Sequence, residues 1–162
     1  YYSTGDCTMS LTKLNNQSLS AVTSAGLPAG TVLQTVHQSF SQTNVNQTDT
    51  VLGTLNITPI AANSKLVIFG GTQVHINEGG ATNYWHLNLR KDTASLVNFG
   101  NAVGYQTSAG ERRYYGFNKE QTAGNTSQQA FDILCSKSGG AGGTIVTNYS
   151  GNGSITIMEI AG

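Results

Sequence analysis

Apolar and polar residues alternate along most of the chain from Thr31 onward, and almost no stretch repeats with a helical period. Alternation with period two is typical of half-buried β-strands, and β-branched residues are concentrated in these runs. Gly- and Asn-rich segments separate the runs, so we expect an all-β chain folded as an antiparallel β-sandwich of jelly-roll type. The predicted strands span residues 31–40, 50–58, 64–77, 83–91, 110–118, 128–137, 143–149 and 154–160.

The first 28 residues lack this alternation and carry scattered leucines in a background of Ser, Thr and Asn. Gly and Pro, the strongest breakers of regular structure, follow between residues 25 and 30. At 162 residues the chain has the length of one domain with at most a short extension. We therefore predict a short extended N-terminal arm at 1–28, acting as a spacer, and a β-sandwich domain at 29–162.

Charged residues make up only 10% of the chain, and 8 Lys and Arg balance 8 Asp and Glu. The adjacent basic pairs at 90–91 and 112–113 are too few for a phosphate-binding surface, so we expect no nucleic-acid partner. No apolar run approaches the length of a membrane span, and no signal peptide is recognisable. We therefore expect no membrane insertion.

Residues that could carry catalysis or bind a metal show no productive spacing. His37, His75 and His86 form no metal-binding pattern, and the carboxylates offer no favoured pair for glycoside hydrolysis. Cys135 lies in an apolar strand, where a thiol is inert, and we expect it and Cys7 to be free thiols, with a single disulfide between them as the alternative. We expect no enzyme, no metal and no cofactor. A polysaccharide depolymerase with carboxylates at a subunit boundary is a further alternative.

Aromatic and hydrogen-bonding side chains occur near several Gly- and Asn-rich loops. Planar rings stack on the apolar faces of sugars, while amides and Arg bind sugar hydroxyls. A glycan-binding surface would then draw on Tyr84, His86, Tyr105, Arg112 and Tyr114. In the alternative interpretation, the tyrosines simply alternate between the core and the rim of ordinary strands.

Two predicted strands are apolar on both faces, because the residues between their core positions are also apolar. In a two-sheet domain only one face of a strand points to the core, so a second apolar face requires another surface, such as a neighbouring subunit. We therefore expect a homo-oligomer, and the candidate interface residues are Val67, Phe69, Met158 and Ile160.

Three stretches carry a resemblance to a known family: PAGTVLQTV at 28–36, LNITPIAANSKLVI at 55–68 and GSITIMEIA at 153–161. Over residues 28–162 the chain resembles the β-sandwich domain at the C-terminus of tail-fibre and related appendage proteins of tailed bacteriophages, notably marine cyanophages. The resemblance implies a structural protein of the virion surface, assembled in the host cytoplasm, but no site residues.

Within that resemblance we expect a homotrimeric appendage tip. Its arm would contact other virion proteins, and its sandwich would bind a host-surface receptor or glycan. The alternative is a capsid decoration or head-fibre protein without specific receptor binding.

Overall fold

A computed structural model describes residues 26–45, 49–76, 83–98, 104–106, 112–137, 145–148, 151 and 153–162. These residues contain no α-helix, and thus no helix that could cross a membrane. Their strands are β1 (Val32–Phe40), β2 (Thr43–Val45), β3 (Thr50–Ile57), β4 (Lys65–Ile76), β5 (Asn83–Lys91), β6 (Ala94–Asn98), β7 (Gly104–Gln106), β8 (Arg112–Thr122), β9 (Gln129–Lys137), β10 (Ile145–Thr147) and β11 (Gly153–Ile160).

The strands form two sheets, which we call the front sheet and the back sheet. In the front sheet, β4 pairs with β8 on one side and with β11 and β10 on the other. Strand β11 then pairs with β1, and β10 pairs with β2. In the back sheet, the order is β3-β9-β5, and β6 and β7 pair with different ends of β5. Every pairing is antiparallel.

The strand order is that of a jelly roll. In three cases, two successive strands together fill one strand position of a sheet: β1 with β2, β6 with β7, and β10 with β11. Counted as eight strands, the front sheet has the order 1-8-3-6 and the back sheet the order 2-7-4-5. Two four-stranded antiparallel sheets connected in this way form the double-sheet jelly roll, which confirms the predicted fold class.

A buried asparagine connects two of the segments that join such paired strands. Asn148, which follows β10, has a positive φ of 54° and is fully buried. Its Oδ1 accepts a hydrogen bond from Thr72 Oγ1 at 2.6 Å, and its Nδ2 donates to the Ser41 carbonyl at 3.1 Å. Asn tolerates the left-handed region better than most residues. The residue therefore links β4 to the segment between β1 and β2.

The core lies between the sheets and follows the predicted alternation. In β5, Trp85, Leu87 and Leu89 are buried, while the intervening side chains at 86, 88 and 90 are half-buried. Trp85 of the back sheet meets Tyr115 of the front sheet edge to face, with ring centroids 6.4 Å apart. Each large apolar side chain buried in this way contributes about 1.5–3 kcal/mol of transfer free energy.

The observed strands differ from the predicted ones at a few places. The three-residue strands β2 and β7 and the five-residue strand β6 were not predicted, because they are too short to show alternation. Strand β8 continues to Thr122, four residues beyond its predicted end, since its polar residues 119–122 pair with residues 65–68 of β4. Residues 1–25 lie outside the described residues, so the N-terminal arm stays a prediction.

Candidate functional site

The outer face of the front sheet has a regular arrangement, because β1, β11, β4 and β8 pair without a shift over most of their length. Outward residues therefore form rows across the four strands. These rows are Ser39–Ser154–Gly71–Gly116, His37–Thr156–Phe69–Asn118, Thr35–Met158–Val67–Glu120 and Val32–Ile160–Lys65–Thr122. The first row consists of serines and glycines, and each of the other three contains at least one large apolar residue.

All four predicted interface residues lie on this outer face. Met158 is paired with Val67, and Ile160 and Phe69 lie one row away on either side. Val32, opposite Ile160, is 52% exposed, and Phe69 is 38% exposed. A 2.8 Å ion pair between the exposed side chains of Lys65 and Glu120 borders the apolar group. The sheet thus presents a contiguous apolar patch, made of Val32, Val67, Phe69, Met158 and Ile160, that its own protomer leaves partly uncovered.

Next to the patch, at the rows of Ser154 and Thr156, the outer face contains an open depression of about 590 Å³ that spans β11, β4 and β8. The side chains that line it are Phe69, Tyr114, Phe117, Asn118, Ser154 and Thr156. Glycines at positions 70 and 116 also line it, and they leave room because they carry no side chain. The depression falls within the ~300 to 1,000 Å³ typical of small-molecule sites.

The ring of Tyr114 lies across the glycines of neighbouring strands. A Cβ atom added to Gly71 would lie 2.5 Å from the Tyr114 hydroxyl, and one added to Gly116 would lie 3.9 Å from the ring. The side chain therefore reaches from β8 over β4, into space that any larger residue at 71 would fill. Tyr114 is nevertheless 60% exposed, so much of its ring faces solvent.

The polar groups around the depression are neutral amides and hydroxyls. Thr156 Oγ1 is hydrogen-bonded to His37 Nδ1 at 2.8 Å, and His37 Nε2 lies 3.3 Å from Ser39 Oγ. None of the described residues that line the depression carries a formal charge. The depression therefore offers hydrogen bonds without an ionic partner.

The predicted glycan-binding residues divide between the two sheets. Arg112 and Tyr114 share the outer face of the front sheet, but Arg112 lies outside the lining of the depression. His86 is in β5 of the back sheet, and the backbones of Tyr84 and Tyr105 pair there between β5 and β7. The structure thus brings Tyr114 together with Phe69, which the sequence suggested only for an interface.

The back sheet carries a bidentate ion pair. Arg90 Nε donates to Asp132 Oδ1 at 2.7 Å, and its terminal nitrogen donates to Oδ2 at 2.8 Å. Hydrogen bonding to Asp132 raises the pKa of Arg90, although burial opposes this effect. Both groups are engaged with each other, so the pair provides cross-strand stability and no ready anion site.

The most unusual buried group, Glu159, was missed by the sequence analysis. Its carboxylate is fully buried and accepts hydrogen bonds from Gln34 Nε2 at 2.6 Å and Ser64 Oγ at 2.5 Å. The backbone N–H groups of Ile60 and Ala61 also donate to it, at 2.8 and 3.1 Å. Burial raises the pKa of Glu159, but the four donors outweigh burial and lower it below the ordinary value. Glu159 follows Ile155 and Ile157 at every second position, so the alternation of β11 could have predicted that its side chain points into the core.

Glu159 also brings three separate stretches of sequence into contact. Gln34 belongs to the stretch 28–36, Ile60, Ala61 and Ser64 to the stretch 55–68, and Glu159 to the stretch 153–161. Their hydrogen bonds join β1, the turn between β3 and β4, and β11 at one end of the sandwich. The three stretches are therefore held together by one buried carboxylate.

The described residues show no catalytic arrangement. They contain no group of three His, Cys, Asp or Glu side chains that could hold a metal ion. Cys135 is a free, fully buried thiol, and burial raises its pKa to about 12, so it is protonated at neutral pH. Cys7 lies outside the described residues.

No protein-family model matches the chain, and no curated protein matches it. Solved structures of infectious bursal disease virus are similar in fold. A chain of the Gx strain structure has a TM-score of 0.47 and 17% identity, covering 80% of this chain and 33% of that chain. A chain of the T13 viral particle has a TM-score of 0.42 and 14% identity, covering 83% and 36%. A chain of the VP2 subviral particle has a TM-score of 0.39 and 16% identity, covering 78% and 36%.

This chain therefore spans about a third of the length of the chains that it resembles. With identities and TM-scores this low, the fold assignment depends on the strand order of the chain itself.

Proposed function

We propose that the protein is a structural component of a virion surface. In this proposal it is the tip domain of a homotrimeric tail fibre or related appendage, joined to other virion proteins by its N-terminal arm. The observation that carries the proposal is the apolar patch on the outer face of the front sheet. The jelly-roll fold supports it, since viral capsid domains and lectins commonly use this fold. The tail-fibre resemblance, whose motifs meet at Glu159, supplies the appendage context.

The apolar patch favours association with further copies of the chain. Val67, Met158 and Ile160 are half-buried and Val32 is exposed, so covering these four residues removes apolar surface from water at about 25 cal/mol per Å². Low charge leaves little electrostatic repulsion between identical copies. Within the four rows, Lys65 and Glu120 are the only residues with a formal charge, and they form an ion pair with each other.

Size-exclusion chromatography with light scattering tests the assembly. We expect a mass of about 51 kDa for three copies of the 17.0 kDa chain. Met158→Lys introduces charge at the centre of the patch and should give monomers. The control Val51→Lys, at a position in β3 of the back sheet that is 43% exposed, should leave the trimer intact. A wild-type monomer at micromolar concentration would remove the trimer from the proposal.

Gold-labelled antibody on intact virus particles tests the location. Label at the distal ends of appendages supports the tip domain and its role in host attachment. Label spread over the head replaces it with the decoration or head-fibre alternative, and unlabelled particles contradict both. In a trimer, three weak receptor sites gain avidity, typically by about 100- to 10,000-fold over one site.

A further inference from the structure

We propose that the depression between Phe69 and Tyr114 binds a neutral pyranose unit of a glycan. This inference depends on the proposed function, since it gives the attachment protein its ligand class and its binding residues. The depression lies in the rows of Ser154 and Thr156, so a subunit packed on Met158, Val67 and Ile160 in the next two rows can leave it accessible.

The exposed aromatic side chains that the structure describes are concentrated at the depression. Within the described part of the chain, the large apolar side chains that stay exposed include two aromatic ones, Phe69 and Tyr114. Both line the depression. Aromatic rings present an apolar face with a negative quadrupole, which suits the C–H groups on the face of a pyranose ring. Tyr115, the next residue of β8, packs against the core instead.

Glycines on two strands leave the space in which the Tyr114 ring lies before any ligand binds. Its hydroxyl lies 2.5 Å from where a Cβ at residue 71 would be, and its ring lies 3.9 Å from where a Cβ at residue 116 would be. A side chain that is already positioned loses less conformational entropy on binding. The pair of glycines thus has a specific role in presenting the outer side of the ring.

The surrounding polar groups match sugar hydroxyls. The Asn118 amide can both donate and accept hydrogen bonds, and the Ser154 and Thr156 hydroxyls can do the same. Asn118 is in β8 and Ser154 and Thr156 are in β11, so they flank β4 from its two sides, in adjacent rows of the outer face. A ring stacked on Tyr114 or Phe69 would therefore meet hydrogen-bonding groups at its edge.

The absence of charge in the lining selects among sugars. A sialic acid or a sulfated sugar would bring an anion into a depression whose described lining residues offer it no cation, and desolvating an unpaired anion is unfavourable. Arg112 is on the same face, but it lies beyond Tyr114 and outside the lining. Neutral hexoses carry no such cost.

Saturation-transfer difference NMR on the full chain tests the inference. The probes are the methyl pyranosides of glucose, galactose and mannose with their short oligomers, beside N-acetylneuraminic acid and glucose 6-sulfate. We expect saturation transfer to at least one neutral probe at millimolar concentration and none to the acidic probes. Tyr114→Ala should weaken that binding by about tenfold or more, whereas Tyr114→Phe should keep most of it.

Val51→Ala, on the back sheet, is the matched control and should bind like the wild type. Thermal unfolding of each variant confirms that it is folded. No signal with any neutral probe, equal binding by Tyr114→Ala, or binding of an acidic probe would each overturn the inference. These outcomes do not depend on particle labelling or trimer mass, so failure of the sugar site and failure of the virion proposal can be told apart.

Discussion

Replacing Glu159 tests how much of the fold depends on one buried carboxylate. Glu159→Ala removes the acceptor for the N–H groups of Ile60 and Ala61, while the Ser64 hydroxyl and the Gln34 amide keep the carbonyls of Ala61 and Thr58 as acceptors. Leaving a buried donor unsatisfied costs about 1–3 kcal/mol, so the loss of the acceptor for two N–H groups predicts destabilisation by about 2–4 kcal/mol after partial access of water. Glu159→Gln keeps one oxygen near the turn and should cost about 1–2 kcal/mol.

Urea unfolding followed by tryptophan fluorescence measures both variants, because Trp85 lies in the core. The matched control is Glu120→Gln, which removes an exposed carboxylate paired with exposed Lys65 and should change stability by less than about 1 kcal/mol. The reasoning is refuted if Glu159→Ala costs no more than the Glu120 control.

The same group predicts a pH dependence. Because the pKa of Glu159 in the folded protein lies below its ordinary value of 4.5, its stabilising contribution is complete above pH 4.5. The contribution is lost as pH falls through the folded pKa, when the carboxylate takes up a proton. Wild-type stability should therefore fall below pH 4.5 more steeply than that of Glu159→Gln, as measured by thermal unfolding at each pH. Parallel curves would contradict this assignment.

Three further outcomes follow from the packing. Gly70→Ala should lower stability by about 1–3 kcal/mol in thermal unfolding, because its Cβ would lie 2.1 Å from the Ser154 carbonyl oxygen; an unchanged midpoint would contradict that clash. A double-mutant cycle on Arg90 and Asp132 should give a coupling of about 1–2 kcal/mol, and additive single effects would show that the pair is uncoupled. Native Cys135 should not react with a thiol reagent at pH 8 until urea unfolds the chain, and fast native labelling would contradict its burial.

Local alternation was sufficient for the sandwich but not for the pairing of its strands. Trp85, Leu87 and Leu89 are inward as their spacing predicts, because a half-buried strand needs one apolar face. Whether His86 and Tyr114 share a sheet depends on the order of strands, and period-two spacing contains no information about that order. The predicted glycan set was therefore divided between two sheets, while the four predicted interface residues of β4 and β11 fell on one face.

The remaining features depend on contacts between residues far apart in sequence. Glu159 and Gln34 are separated by 125 positions, and nothing near either one shows that they meet. Phe69 could be recognised as outward from its parity, but its position beside the depression depends on Tyr114 and the glycines of neighbouring strands. Such a site becomes visible only when the register of β4 with β8 and β11 is known.

A cryo-electron microscopy reconstruction of the appendages on intact virus particles tests the central claim most directly. The account predicts three copies of this jelly roll at the tip, with Met158 and Val67 of each front sheet packed against a neighbouring copy and Val51 of the back sheet facing solvent. Density in which the outer face of the front sheet is fully open to solvent, or in which copies meet through the back sheet, would contradict it.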